Sequence, residues 1–234
     1  MDIFRLLILK ATSNHPLDNP VWFALSETHA EFAIADGHAK FYQPRYCPFG
    51  GCYPDGQIAD ALATYAQLIP NFFIVGTRPQ IPAGLQLVRE LICDQMMIEK
   101  RIAVDNDKVL TELNDSHAAA LYNLVNLVQP GYFRPDTRRL GTYFGIFENR
   151  ELVAVTGERM KMNDYTEVSA VVTHPQHSGK GYAKRLVAHV VNRIFDQGKT
   201  PILHVAETNL GAIRLYEKLG FTLRRKISLW NIST

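Results

Sequence analysis

Apolar residues fall into two kinds of spacing along the second half of this chain. Leu121, Leu124, Val125 and Val128 recur at three and four residues, behind a cap at Asp115 or Ser116 and ahead of the stop Pro130-Gly131. This predicts a helix over roughly 116–128. Thr142 to Phe147 and Glu151 to Met160 are β-rich runs split by Glu148-Asn149-Arg150, which reads as a hairpin, and Tyr165 to Thr173 supplies the next strand. A regular pleat places Glu167, Ser169, Val171 and Thr173 on one face of that strand and Val168, Ala170 and Val172 on the other. A second helical stripe, Ala183, Leu186, Val187, Val190, Val191 and Ile194, ends at Gly198. Pro201 to Ala206 is a buried strand, Ala212, Leu215, Tyr216 and Leu219 form a further stripe ending at Gly220, and Phe221 to Trp230 is the last strand.

Upstream the pattern is less regular. Strands are expected at Trp22 to Leu25, Glu31 to Tyr42 and Phe72 to Gly76, with a helix from Gln57 to Leu68 capped by Asp55. Leu85 to Ile102 mixes helical and strand preferences, and its type stays open. The polar segment Val104 to Lys108 is the natural boundary, dividing the chain into an N-terminal half, 1–104, and a C-terminal domain, 105–234. No repeat is visible by eye, yet halves of similar length are compatible with a degenerate duplication.

Composition narrows the class. With 47% apolar and 21% charged residues and a formal charge of +2, the 234-residue chain is an ordinary globular protein without a charge bias toward nucleic acid or membrane. The only apolar run near the start, Leu6 to Leu9, is too short for a signal core, and no stretch approaches about 18 apolar residues, so a cytoplasmic protein is expected. Cys47, Cys52 and Cys93 are odd in number and scattered, which fits reduced thiols.

Candidate chemistry concentrates between Glu167 and Ala183. A β-rich run breaks at His174-Pro175 and re-emerges through Gly179 and Gly181 into a helix. A helix N-terminus leaves about four N–H groups without partners, and glycines on either side of Lys180 let an anion approach them, so a pyrophosphate is the expected ligand. The P-loop is excluded because Gly181 follows Lys180 where Ser or Thr is needed, and the dinucleotide fingerprint fails at Lys184.

Ser178-Gly179-Lys180-Gly181-Tyr182-Ala183, answered downstream by Asn209-x-x-Ala212-x-x-Leu215-Tyr216-x-x-x-Gly220-Phe221, resembles the GNAT superfamily of acyl-CoA-dependent N-acyltransferases over residues 108 to 230. Pro130-Gly131-Tyr132-Phe133, Leu140-Gly141-Thr142-Tyr143, Gly157-Glu158-Arg159-Met160 and Val172-Thr173-His174-Pro175 look like a bacterial branch with an extra N-terminal half, similar to the glycine N-acyltransferase arrangement, as does Asn19-Pro20-Val21-Trp22. The resemblance implies an α/β fold: a mixed β-sheet flanked by helices in the C-terminal domain, preceded by a smaller α/β half. It implies acetyl-CoA, or a related acyl-CoA, as donor, with its pyrophosphate on Ser178, Gly179, Lys180, Gly181, Tyr182 and Ala183 and its pantetheine arm along Val171, Val172 and Thr173. It further implies Asn209 as a contact to that arm, Tyr216 as the residue assisting the departing thiolate, and Glu167, 11 residues before Ser178, as general base. Ser178 stands where the family usually has Gln or Arg, and Lys180 and Lys184 can restore the positive charge.

Acyl transfer to an amine needs a deprotonated nucleophile, a polarised carbonyl and help for the thiolate. Backbone N–H groups around Val171 and Val172 are the candidates for the carbonyl. Partial burial is expected to raise the Glu167 pKa from about 4.3 toward neutrality; pairing with a basic neighbour is the alternative. A phenol of pKa about 10 protonating a thiolate of about 8.5 works uphill by roughly 2 kcal/mol, so hydrogen bonding is the larger contribution expected of Tyr216. Asn209 can equally be a plain helix cap. The cysteines lie outside both motifs, so direct attack in a ternary complex is preferred to an acyl-cysteine route, and Cys47, Cys52, His174 and His177 have too loose a spacing for a metal site. His177 is expected against solvent or phosphate, His189 and His204 in structural positions. Arg138-Arg139 and Arg224-Arg225-Lys226 read as solvated faces, either able to meet the adenosine phosphate, and Tyr132, Phe133 and Tyr143 as acceptor-pocket or core aromatics. The expected function is acetyl transfer to the primary amine of a small molecule or peptide; the alternative is a non-catalytic acyl-CoA-binding module or sensor. The N-terminal half is compatible with a lid or a homodimer interface.

Overall fold

The computed structural model describes residues 15–53, 57–103 and 110–234. The Asp55 cap, the Met1–Lys10 start and the boundary segment 104–108 lie outside them. The first element corrects an expected strand: residues Pro20–Ser26 form α1, because Pro20 at the first helical position presets φ, and Pro20, Val21, Ala24 and Leu25 then share a buried face. The expected strand Glu31 to Tyr42 is broken as well. A 3₁₀ turn at Ala30–Phe32 leads into β1 (Ala33–Asp36), and Gly37 at φ 55° reverses the chain into β2 (Ala39–Tyr42). An unanticipated β3 (Phe49–Cys52), α2 (Ala59–Ala66) and β4 (Asn71–Val75) follow.

The open segment resolves into β5 (Gln86–Met97). Beyond it come β6 (Thr111–Glu112), α3 (Ala118–Val128), β7 (Tyr143–Glu148), β8 (Glu151–Lys161), β9 (Tyr165–Thr173), α4 (Tyr182–Asp196), β10 (Thr200–Ala206), α5 (Leu210–Leu219) and β11 (Thr222–Ser233). The β7–β8 hairpin turns on Asn149 and Arg150, at φ 50° and 69°, and Gly220 at φ 98° closes α5.

All eleven described strands form one sheet in the order β1-β2-β3-β4-β11-β5-β10-β9-β8-β7-β6. Two neighbouring pairs are parallel, β3 with β4 across α2 and β9 with β10 across α4; the others are antiparallel. The two halves therefore run the same course, and their last strands are exchanged: β5 pairs with β10 of the second half, β11 with β4 of the first. That exchange explains why Leu85 to Ile102 has no readable local pattern. Its partners are contributed by residues more than 100 positions away, and its side chains answer to them rather than to neighbours in sequence.

Two features of β9 position the site. It pairs with β10 only from Tyr165 to Glu167, against Thr200 to Ile202, after which the strands part. In addition, Val155 faces Val172 and Gly157 faces Ser169, so two residues of β9, Ala170 and Val171, oppose the single Thr156 of β8. Ala170 takes φ 51° at this bulge. The regular pleat expected from the sequence is thereby corrected. Val168 packs in the core under α4 and Val172 in the core under α3, opposite faces for residues that an unbroken strand would hold on one.

Candidate active site

The parting of β9 from β10 opens a cavity of about 320 Å³. Val168, Ser169, Ala170 and Val171 line one wall, Val205 and Ala206 the other, and Asn209, Ala212 and Tyr216 of α5 close one end. At the other end stand Phe49 of β3, Leu91 and Cys93 of β5, Leu229 of β11 and Tyr132, which share one apolar cluster, with Arg159 against the Phe49 ring and Glu167 paired to it. Six strands, one helix and the segment after α3 contribute, from both halves of the chain.

The glycine loop follows β9. Gly179 and Gly181 adopt φ 78° and 75°, where glycine is favoured, and a Cβ on either would meet nothing within 4 Å, so the surface there is open backbone. Gly181 is the N-cap of the 15-residue α4 and no side chain caps that helix. Among the described residues, the amides of Gly179, Lys180, Gly181 and Ala183 have no backbone acceptor. These are the unpartnered donors of a helix N-terminus, and they fit a diphosphate. Ser178 closes a 3₁₀ turn beside them and is exposed. The loop is pinned from β7: the Glu148 carboxylate accepts from Lys180 Nζ at 2.9 Å, from the His177 Nδ1 side at 2.9 Å and from the Tyr182 hydroxyl. His177 and Lys180, expected against phosphate, are thus engaged with a carboxylate of their own chain.

Asn209 caps α5, its Oδ1 accepting from Ala212 N at 3.2 Å, while it also lines the cavity. Tyr216 lies in the same wall, 7% exposed, with its ring edge-on to Phe221. Its hydroxyl makes no hydrogen bond to a described residue, and burial alone pushes its pKa well above the usual phenol value. Val171 lines the cavity, whereas Val172 turns its side chain into the core under α3 and Thr173 pairs with Ala154.

Glu167 departs from expectation. It is 1% exposed, and its carboxylate is taken up side-on by Arg159, Oε2 accepting from Nε at 2.7 Å and Oε1 from Nη2 at 2.8 Å. Oε1 also meets His204 Nδ1 at 2.9 Å. Burial alone would raise this carboxyl; the Arg159 charge, its hydrogen bonds and His204 outweigh burial and take the pKa down to about 2. The expected rise toward neutrality is corrected: this is the paired glutamate of the alternative reading. A carboxylate can only accept, so Nδ1 of His204 carries the proton, and Nε2 accepts from Gln95 Nε2 at 3.0 Å. Gln95 in turn gives a second hydrogen to Leu17 O and accepts from Arg224 Nη1 at 2.9 Å. Among the described residues, each polar side-chain atom of Glu167, His204 and Gln95 has a partner, whereas one edge of Arg159 has none.

The remaining expectations sort by burial and partner. Tyr132 reaches the cavity, but Phe133 and Tyr143 pack edge to face under α3. Arg138 and Arg139 pair with Asp115 and Asp136, Arg224 and Arg225 with Asp18, and Lys226 with Asp94 and Glu207. Arg159 was legible as part of Gly157-Glu158-Arg159-Met160 but not as a wall of the site. Phe49, Leu91, Cys93 and Leu229 carry no signal at all in sequence, because β3, β5 and β11 bring them in from afar.

Residues 143–230 match a family model described as FR47-like protein. A solved GNAT-family structure from Novosphingobium aromaticivorans is similar at 30% identity, with 94% of this chain and 99% of that one covered and a TM-score of 0.87. A GCN5-related N-acetyltransferase-like protein from Streptococcus suis, at 17% identity over 89% of this chain and 92% of that one, and a GCN5-related N-acetyltransferase from Kribbella flavida, at 14% over 86% and 88%, share the fold with TM-scores of 0.57 and 0.56. No protein of curated description matches the sequence. With strands that part at a bulge, a glycine turn heading an uncapped helix, and a relative alike over nearly its whole length, this chain belongs to the GNAT superfamily.

Proposed function

We propose that the protein transfers an acetyl group from acetyl-CoA to a primary amine by direct attack in a ternary complex. The observation that carries this reading is the continuity of one surface: the open edge of β9, the Ala170 bulge and the uncapped start of α4 lie in succession. An extended, amide-bearing arm can add to the strand edge while its phosphates meet helix amides. Acetyl-CoA would supply an activated thioester there. Ser178, Gly179, Lys180, Gly181, Tyr182 and Ala183 would hold the diphosphate, the edge from Val171 to Thr173 and Asn209 would hold the arm, and backbone N–H groups at the bulge would polarise the acyl carbonyl.

Tyr216, whose hydroxyl has no partner among the described residues, lines the same cavity and would donate to the leaving sulfur. Its raised pKa makes complete proton transfer costlier than for a free phenol, so the hydrogen bond is its contribution. No side chain of the wall is placed to take the amine's proton near neutral pH. Glu167 is held as carboxylate in an ion pair, burial lifts Cys93 to about 12, and both nitrogens of His204 are occupied. The Arg159 charge beside the cavity favours the neutral amine, and water carries the proton out.

A thiol-release assay with acetyl-CoA and a panel of amines tests the reading. Turnover on at least one amine is expected. Acetyl-CoA binding without turnover on any of them would assign the protein to the non-catalytic, acyl-CoA-binding reading.

A further inference from the structure

Arg159 is more exposed than the carboxylate it holds, 14% against 1% for the side chains, and both line the cavity. What the cavity meets is therefore the cationic member of the pair. A guanidinium is planar and has five N–H donors in a fixed fork. Nε and Nη2 are spent side-on upon Glu167, and one face of the plane lies against the Phe49 ring at 4.7 Å. That leaves the end-on edge, Nη1 with the second hydrogen of Nη2. Nη1 has no hydrogen bond among the described residues, and it is not among the buried atoms lacking one. An edge of two parallel donors matches a carboxylate.

The surroundings agree on the sign and on the rest of the molecule. Glu167, already sealed, is the one acidic residue in the wall, whereas Arg89 donates to Tyr132 Oη at 3.4 Å beside it. Around the Arg159 end the wall is Phe49, Leu91, Cys93, Tyr132 and Leu229, largely apolar. Resting on the acyl-transfer reading above, we infer that the acceptor is an amine that also bears a carboxylate, seated on the free edge of Arg159, and an apolar or aromatic side chain, seated against those five residues. Glu167, His204 and Gln95 are then positioning residues. They lock the guanidinium so that one edge is permanently spent and the other permanently presented.

The experiment compares L-phenylalanine with 2-phenylethylamine, and L-leucine with 3-methylbutylamine, as acceptors for the unmodified protein in the thiol-release assay. Each pair differs by the carboxylate alone. Loss of a charge-assisted hydrogen bond predicts that kcat/KM falls at least about 10-fold on its removal, mostly through KM. Arg159→Lys keeps charge but cannot serve Glu167 and a second carboxylate at once; it is expected to shrink the preference, and the double variant Arg159→Met/Glu167→Gln, which leaves no buried charge unpaired, to abolish it. Equal rates for amino acid and bare amine, or an undiminished preference in the double variant, would overturn the inference. If no amine turns over, the acyl-transfer reading fails by itself. The acceptor inference is then decided by calorimetric binding of L-phenylalanine against 2-phenylethylamine: tighter binding of the amino acid that is lost in the double variant sustains it, and its absence overturns it.

Discussion

Glu167 and Arg159 meet side-on across neighbouring strands, with two hydrogen bonds of 2.7 and 2.8 Å in the wall of the cavity. Two consequences follow for any variant at position 167. Truncation leaves a buried guanidinium without its partner, so Glu167→Ala should cost about 3–5 kcal/mol in chemical denaturation. Glu167→Gln keeps one acceptor and should cost less. With water as the proposed route for the amine's proton, kcat/KM should go on rising with pH toward the acceptor's own pKa in Glu167→Gln; a flat profile in that variant would return the base role to Glu167.

Tyr216 separates activity from stability. Its hydroxyl has no hydrogen-bond partner among the described residues, so Tyr216→Phe should denature at the same urea concentration as the parent. In the thiol-release assay its kcat should drop by about 100-fold, the scale of a positioned donor to a leaving group. An unchanged kcat would reduce Tyr216 to a core aromatic.

Gly181 tests the anion cradle through backbone alone. A methyl group there meets nothing, yet φ 75° strains any residue with a Cβ by about 1–2 kcal/mol. Relief of that strain would turn the amides of Tyr182 and Ala183. Gly181→Ala should therefore raise the acetyl-CoA KM by about 10-fold while leaving kcat nearly untouched, as initial rates at saturating amine will show.

Acid should unfold the protein in two stages. His29 is buried against Tyr42; burial first, then the charges of Lys161 and Lys199, lower its pKa to about 4 from 6.5. The unfolded chain binds its proton more readily, so about 3 kcal/mol of stability present above pH 6.5 is lost as pH falls to about 4. Glu167 has the opposite charge and the same direction: its stabilisation is complete above pH 4.5 and lost as pH falls toward 2. Urea midpoints from pH 8 to pH 3 will show the decline, and His29→Gln should flatten the upper stage alone.

Where the chain could be read from its own order, local physics set the outcome. Tyr165–Thr173 was bounded correctly because a β-rich run ends at His174-Pro175, and α4 because a stripe at helical spacing begins after two glycines. Trp22 to Leu25 reads as a strand from its own composition because four apolar residues fit strand and helix equally; Pro20 at the helix start and the buried face it sets up decide for helix. Glu167 can be singled out by position, but the direction of its pKa cannot. Nothing local to it says that Arg159 stands across the hairpin and His204 on the next strand.

The sequence by itself determined the glycine turn at the head of α4, the backbone of the proposed cradle. A glycine turn at a helix N-terminus is a matter of adjacent residues, and backbone amides need no distant partner to bind an anion. Tertiary structure alone decided the pocket and its charge. The bulge at Ala170 depends on the register of β8, the cavity on β10 parting from β9, and its far wall on strands exchanged between the halves. A pKa near 2 for Glu167 is the sum of burial and two neighbours brought close only by folding, and Coulomb energy depends on distance in space rather than along the chain.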